Sequence, residues 1–231
     1  MISQSKYNRS MVTKYNILVL DPAESTGFSV VSVDEAVSTG DIFEYGYINV
    51  DTTSNYMGDW HISLTDQVEV LIKKYDAKMV VIEDYFFSSR FTSGSNVNPG
   101  YRAVIHMKVR QLGIPYEILN ISQWKSFVAG RSVPTKEQKA KWGKAAANKL
   151  YMLEALQTRH GIRMPNHSLS EKTGKPIKFR YDIVDAVAQA ICYCKLMVGI
   201  RTMTCSVVVP PDVDWDAPKP TKKLKKKSSS V

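Results

Sequence analysis

The stretch YNILVLDPAESTGFSVV, residues 15–31, is the most informative part of this sequence. Residues 16–20 have the apolar, β-branched character of a buried strand, and this segment ends on Asp21. A tight turn follows, with Pro22 and Gly27 near its two ends, and a second apolar segment begins at Phe28. The stretch predicts two adjacent strands. A carboxylate ends the first strand, and Pro22 and Gly27 shape a turn that directs the second strand away from this carboxylate.

Outward from this stretch, the pattern of apolar residues predicts an α/β fold. A third strand at 43–50 completes an antiparallel meander with the first two. The later predicted segments are a helix at 59–75, a buried strand in AKMVVIED, a helix at 101–112, a strand in YEIL, a short helix at 123–128, one long helix from a Thr135–Gln138 capping box to about 158, a loop at 161–180 and a helix at 181–197. This order predicts a mixed five-stranded sheet flanked by helices.

The ends of the chain differ in composition from its middle. Residues 210–231 are rich in Pro, Asp and Lys and predict a disordered basic tail. We therefore expect a flexible N-terminal extension at 1–14, one domain at 15–209 and the tail at 210–231.

Charge and hydropathy limit the class of partner and the location. The formal net charge is +9, which favours a polyanionic partner. No apolar run approaches the roughly 20 residues that span a bilayer, so no membrane association is expected. Three cysteines form no disulfide framework and suit a reducing compartment. We expect a cytoplasmic protein, although the acid-free residues 1–16 leave organellar import open.

Four carboxylates are candidates for one site. Asp21 and Glu83 each follow a predicted buried strand. If these strands are parallel neighbours, both side chains emerge at the same edge of the sheet, where α/β proteins build their sites. Asp182 and Asp185 open the last predicted helix at positions i and i+3, on one face of one turn. If that helix crosses the same edge, all four carboxylates converge.

Converging carboxylates favour metal chemistry. Like charges at close range raise one another's pKa unless a cation neutralises them, and hard oxygen ligands favour Mg²⁺ or Mn²⁺. Two such ions about 4 Å apart can activate a water and stabilise the leaving oxygen of a phosphodiester. Each acid also has a structural explanation: a turn cap for Asp21, a solvated strand end for Glu83, and helix N-terminal roles for Asp182 and Asp185.

The order of these motifs resembles the RuvC family of Holliday junction resolvases, in the RNase H-like superfamily. The matching segments are LVLDPAESTGFSVV with Asp21, VVIEDYFF with Glu83, NPGYRAVIHMKVRQLGIPYEILNISQWKSFVAG, and YDIVDAVAQAI with Asp182 and Asp185. Lys125 and Lys136, eleven residues apart, are similar to the family's basic pair. The resemblance covers residues 15–198.

This resemblance implies a homodimer that resolves four-way DNA junctions by symmetric, Mg²⁺-dependent phosphodiester hydrolysis, with Mn²⁺ as a substitute. The four acids would hold two metal ions. Lys136 would stabilise the pentavalent phosphate, Lys125 would contact DNA near the site, and Phe86 would support the opened junction. A shorter first turn and an insertion at 166–179 suggest a divergent member of phage or viral origin, active in host cytoplasm.

Further DNA contacts are expected from aromatic and basic residues. The loop after Glu83 contains Phe86 and Arg90, and base–aromatic stacking is worth roughly 1–3 kcal/mol per base. Lys139 and Lys141 on the predicted long helix would contact phosphates. Burial of the aromatic residues and a solvated lysine face are the alternative interpretations.

Three other functions remain open. The first is a broader nuclease on branched DNA or RNA–DNA hybrids. The second is a sugar-kinase or actin-like ATPase, which the glycine-poor turn DPAESTG disfavours. The third is a module that binds junctions without cutting them, for which clustered negative charge beside DNA would be unfavourable.

Overall fold

The computed structural model describes residues 13–84, 97–165, 167–169, 176–178 and 181–209. In chain order the strands are β1 (Lys14–Asp21), β2 (Ser25–Asp34), β3 (Thr39–Asn49), β4 (Ala77–Glu83), β5 (Tyr116–Leu119), β6 (His167–Leu169), β7 (Pro176–Lys178) and β8 (Thr202–Cys205). The helices are α1 (Met57–Lys74), α2 (Val97–Gln111), α3 (Ile121–Ala129), α4 (Lys136–Trp142), α5 (Lys144–His160) and α6 (Asp182–Tyr193), and α6 continues into a π-helical turn at Cys194–Val198. None of these helices has the length and apolarity to cross a membrane.

The described residues divide into two compact units. The larger contains a six-stranded mixed sheet in the order β5-β4-β1-β2-β3-β8, together with all six helices. The smaller contains the antiparallel β6–β7 hairpin, within residues 165–179.

Strand β1 lies inside the sheet, and residues 17–20 are completely buried. It pairs with β2 antiparallel and with β4 parallel, and β2 pairs with β3 antiparallel. The predicted meander is therefore confirmed, and β1 and β4 meet the condition under which Asp21 and Glu83 reach the same edge of the sheet. Because both faces of β1 are covered, its sequence is a continuous apolar run rather than an alternating one.

Helices cover the two faces of the sheet. On one face, Leu18 and Val30 belong to a core cluster with Leu64 of α1 and Ile105 of α2. Neighbouring strand residues point to opposite faces, and Ser29 points to the face covered by α6, where its hydroxyl donates to the Ala186 carbonyl. The predicted α/β class is confirmed, and α6 lies directly over β1, β2 and β3.

Several boundaries differ from the sequence-based expectation. The sheet has six strands rather than five, because β8 adds to β3 in parallel. The predicted long helix is two helices, since Gly143 has φ +77° and ψ 153°, which end α4. Its predicted Thr135–Gln138 capping box is confirmed. Residues 161–180, predicted as a loop, contain the β6–β7 hairpin.

Candidate active site

Asp21 and Glu83 occupy the ends of two parallel neighbours. Leu20 on β1 is opposite Ile82 on β4, so the next residue of each strand reaches the same edge of the sheet. The two carboxyl groups lie within hydrogen-bonding reach of each other. Burial raises the pKa of both carboxyls, and the charge of Glu83 raises that of Asp21 further. The pair therefore holds a proton to a higher pH than two solvated carboxylates would.

Gly27 lets the third and fourth acids reach this edge. It pairs with Asp21 across β1 and β2, and a Cβ at this position would lie 2.0 Å from the Asp182 carbonyl oxygen. The first turn of α6 therefore packs directly against the β2 backbone. The Ser29 hydroxyl donates to Ala186 O at 2.9 Å and anchors the next turn of α6. Gly27 was expected to shape a turn; it lies within β2, and its role is to allow close approach.

Asp185 also has a raised pKa. Burial, followed by the charge of Asp21, raises its pKa to about 7. The ammonium groups of Lys125 and Lys149 oppose this rise. Asp185 thus belongs to the same electrostatic cluster as the two strand-end acids.

Two lysines supply positive charge to the cluster. Lys125 lowers the pKa of Asp21, Glu83 and Asp185. Lys149 Nζ lies 3.5 Å from Asp182 Oδ1. The sequence gives no signal for this contact, because the ion pair joins residues 33 positions apart.

Trp124 is a site residue that sequence reasoning missed. Its side chain is completely buried, and its Nε1–H donates to Glu83 Oε1 at 2.9 Å. The available signal was its place beside Lys125, within the segment matched to the family. An apolar residue in a short amphipathic helix is, however, ordinarily a core residue.

The remaining predicted residues are three lysines of α4 and two residues of the predicted loop after Glu83. Lys136 is exposed at the start of α4. Lys139 is half-buried on α4, and the Nζ of exposed Lys141 lies 4.9 Å from the centroid of the Trp142 ring. Among the described residues, no ion pair joins these three lysines to the four acids. Phe86 and Arg90 fall outside the described residues.

The chemistry of the donor set fits a divalent cation. All four acids offer hard oxygen ligands, and the raised pKa values of three of them indicate negative charge that lacks full compensation. Within the described ranges, no three His, Cys, Asp or Glu side chains are close enough together to coordinate one metal ion. A cation would have to draw these carboxylates together.

Comparison with solved structures identifies the class of fold. A structure of Thermus thermophilus RuvC superposes with a TM-score of 0.54 at 14% identity, covering 80% of this chain and 97% of that one. T. thermophilus RuvC in complex with a Holliday junction substrate gives a TM-score of 0.53 at 16% identity, covering 78% and 92%. The protein has the RNase H-like α/β fold. No curated protein matches the chain in sequence.

A family sequence model identifies the group within that fold. The model described as crossover junction endodeoxyribonuclease RuvC matches residues 17–151, more than half of the 231 residues. The chain belongs to the RuvC family and is a nuclease. The matched segment includes Asp21, Glu83 and Lys125 but ends before α6. The family match therefore says nothing about Asp182 and Asp185, whose position beside the strand ends comes from the structure.

Proposed function

We propose that this protein resolves four-way DNA junctions by metal-dependent hydrolysis of phosphodiester bonds. The observation that carries the proposal is the close contact between Gly27 and Asp182, which brings the first turn of α6 to the ends of β1 and β4. In a member of the RuvC family, this arrangement supplies four carboxylates at one edge of the sheet. A protein that only bound DNA would gain nothing from negative charge at such a place.

The four acids Asp21, Glu83, Asp182 and Asp185 would hold two Mg²⁺ ions, with Mn²⁺ as a substitute. Bound there, such ions supply an activated water and stabilise the leaving oxygen. The residues of the chain provide the rigid frame, since two of the acids are strand ends and two share one helical turn.

Positively charged side chains would contact the DNA phosphates and stabilise their charge. Lys125 already offsets the charge of the buried acids, and beside DNA it would contact a phosphate next to the site. Lys136 would stabilise charge that develops on the reacting phosphate. Lys139 and Lys141 would extend the phosphate contacts along α4, and Phe86 and Arg90 would contact the opened junction.

A homodimer follows from the proposed chemistry. Each chain contains one carboxylate cluster, and symmetric nicking of two strands requires two. The structural neighbour bound to a Holliday junction supports a branched-DNA substrate. We further propose action in the cytoplasm, or in the host cytoplasm for a phage or viral protein, in line with the sparse cysteines.

The test is cleavage of a synthetic four-way junction beside a linear duplex of the same sequence, with Mg²⁺, Mn²⁺ or a chelator. Paired symmetric nicks in the junction alone, lost in chelator, are the expected result. Equal cutting of flaps, forks or RNA–DNA hybrids would replace the proposal with a broader nuclease. Junction binding without cutting in either metal would replace it with a binding module.

A further inference from the structure

Trp124 lies next to Glu83, at the edge of the sheet where Asp21 and Glu83 end their strands. Leu119 of β5 pairs with Glu83 of β4, and the chain turns into α3 immediately afterwards. The Asn120 side chain caps this helix by accepting from the N–H groups of Ser122 and Gln123. Because Trp124 lies in the first turn of α3, a short and hydrogen-bonded stretch of backbone connects it to the strand beside Glu83.

The indole of Trp124 contacts two charged groups of the site. Its Nε1–H donates to Glu83 Oε1 at 2.9 Å. Its ring lies 5.0 Å, measured to the centroid, from Lys125 Nζ, within the range of a cation–π contact. One buried side chain therefore contacts both an acid of the cluster and the lysine that offsets the cluster's charge.

Packing alone does not explain a tryptophan here. Phenylalanine or leucine would fill an apolar position without adding a polar atom, whereas a buried indole N–H needs an acceptor. The acceptor is an oxygen of Glu83, a half-buried residue. Without this donor, that oxygen would lose a charge-assisted hydrogen bond.

We propose that Trp124 is a positioning residue for Glu83, whose carboxylate it orients toward the metal, while its ring holds Lys125 over the cluster. The inference rests on the proposed metal-dependent nuclease function. Outer partners that orient a metal ligand typically change metal affinity or activity by roughly 10- to 100-fold when they are removed.

The experiment compares Trp124→Phe with Trp60→Phe in the full-length protein. Trp60 is a matched control, since its Nε1–H also donates to an oxygen at 2.9 Å, the Ser54 carbonyl, but on α1. Free Mn²⁺ is followed by its electron paramagnetic resonance signal without DNA, and junction cutting is measured across a Mg²⁺ titration. Thermal unfolding in chelator reports folding.

We expect Trp124→Phe to weaken Mn²⁺ binding and to raise the Mg²⁺ concentration for half-maximal cutting by roughly 10- to 100-fold. High Mg²⁺ should restore most of the cutting rate, and the KM for the junction should change little because a ring remains under Lys125. Trp60→Phe should match the wild type in both metal titrations. A loss of stability alone would not move the metal titration in this way.

If the Trp124→Phe variant does not fold, Trp124 is replaced by 3-benzothienylalanine instead. This residue keeps the shape of the indole but lacks the N–H. Unchanged Mn²⁺ affinity and Mg²⁺ dependence in the folded replacement, with an active wild type, would overturn the positioning role and leave the nuclease proposal intact. A wild type that neither binds Mn²⁺ nor cuts would instead overturn the nuclease proposal.

Discussion

The two pairs of acids in the candidate site are positioned by different means. Asp21 and Glu83 end neighbouring parallel strands, so the register of β1 and β4 alone places them together. Asp182 and Asp185 reach the same edge because α6 packs on β2, through Gly27 and Ser29. The first pair depends on main-chain pairing within the sheet, and the second depends on side-chain volume at a helix–sheet contact.

This difference predicts that substitutions at the two pairs of acids have different effects on activity and stability. A substitution at a strand-end acid should remove chemistry and spare the fold. A substitution under α6 should disturb chemistry and stability together.

Replacing Asp21 by Asn should abolish cutting, because a neutral amide is a poor ligand for a divalent cation. The fold should remain, and in chelator the variant should melt at a higher temperature, since burial disfavours the carboxylate it replaces. Asp66→Asn, an exposed acid on α1, is the matched control. Cutting by the Asp21 variant at the control's rate would remove Asp21 from the proposed site.

Replacing Gly27 by Ala should lower both activity and stability. The added Cβ would lie 2.0 Å from backbone oxygen of Asp182, so α6 must move away from β2. We expect a loss of about 1–3 kcal/mol in the free energy of unfolding and a marked fall in cutting, measured by denaturant titration and junction cleavage.

Gly58→Ala is the control for this substitution, because its added Cβ meets nothing within 4 Å. In helix α1, alanine should be neutral or slightly stabilising. If Gly27→Ala retained full activity and stability, the close approach of α6 would not control the site.

The pH dependence of stability should report the buried acid on α6. In chelator, Asp185 stays protonated in the folded state up to its pKa of about 7, but ionises in the unfolded state near pH 4. Between these values the folded state binds more protons, so the free energy of unfolding should fall as pH rises, by up to about 1.4 kcal/mol per pH unit.

Denaturant titrations at several pH values measure this slope. Asp185→Asn should reduce it, whereas Asp66→Asn should leave it unchanged. If the free energy of unfolding of the wild type did not change over this pH range, the raised pKa of Asp185 would be contradicted.

Replacing Ser29 by Ala should give the smallest effect. The variant loses one buried hydrogen bond to the Ala186 carbonyl, worth about 0.5–1.5 kcal/mol. The comparison is Thr65→Ala, which removes an exposed hydrogen bond from the Thr65 hydroxyl to the Ile62 carbonyl within α1. The Ser29 variant should lose more thermal stability than the Thr65 variant, and equal melting temperatures would show that this anchor is not needed.

Much of the fold could be predicted because it is encoded locally. The apolar run before Asp21 predicts a strand buried on both faces, and the Thr135 capping box correctly predicts a helix start. The predicted end of that helix was wrong, because the helix ends at the backbone of Gly143, which the periodicity of apolar residues does not reveal. Strand β8 was missed because four residues are too few to show alternation, and its pairing with β3 spans most of the chain.

The candidate site was only partly accessible to sequence reasoning. The four acids were proposed from strand ends and helix spacing, and their assignment as metal ligands stays a prediction. Trp124 could not be recognised in the same way, because its hydrogen bond to Glu83 joins residues 41 positions apart. Periodicity marks Trp124 as apolar and buried, but does not reveal which acceptor its N–H finds.

Local sequence patterns were enough to predict the order and type of the main elements and the resemblance to the RuvC family. The reason is that hydrophobic periodicity acts between residues that are close along the chain. The three-dimensional fold was needed to establish that β1 pairs with β4, that Gly27 lies under Asp182, that Trp124 donates to Glu83 and that Lys149 pairs with Asp182. These contacts join distant segments, and close packing of particular side chains selects them.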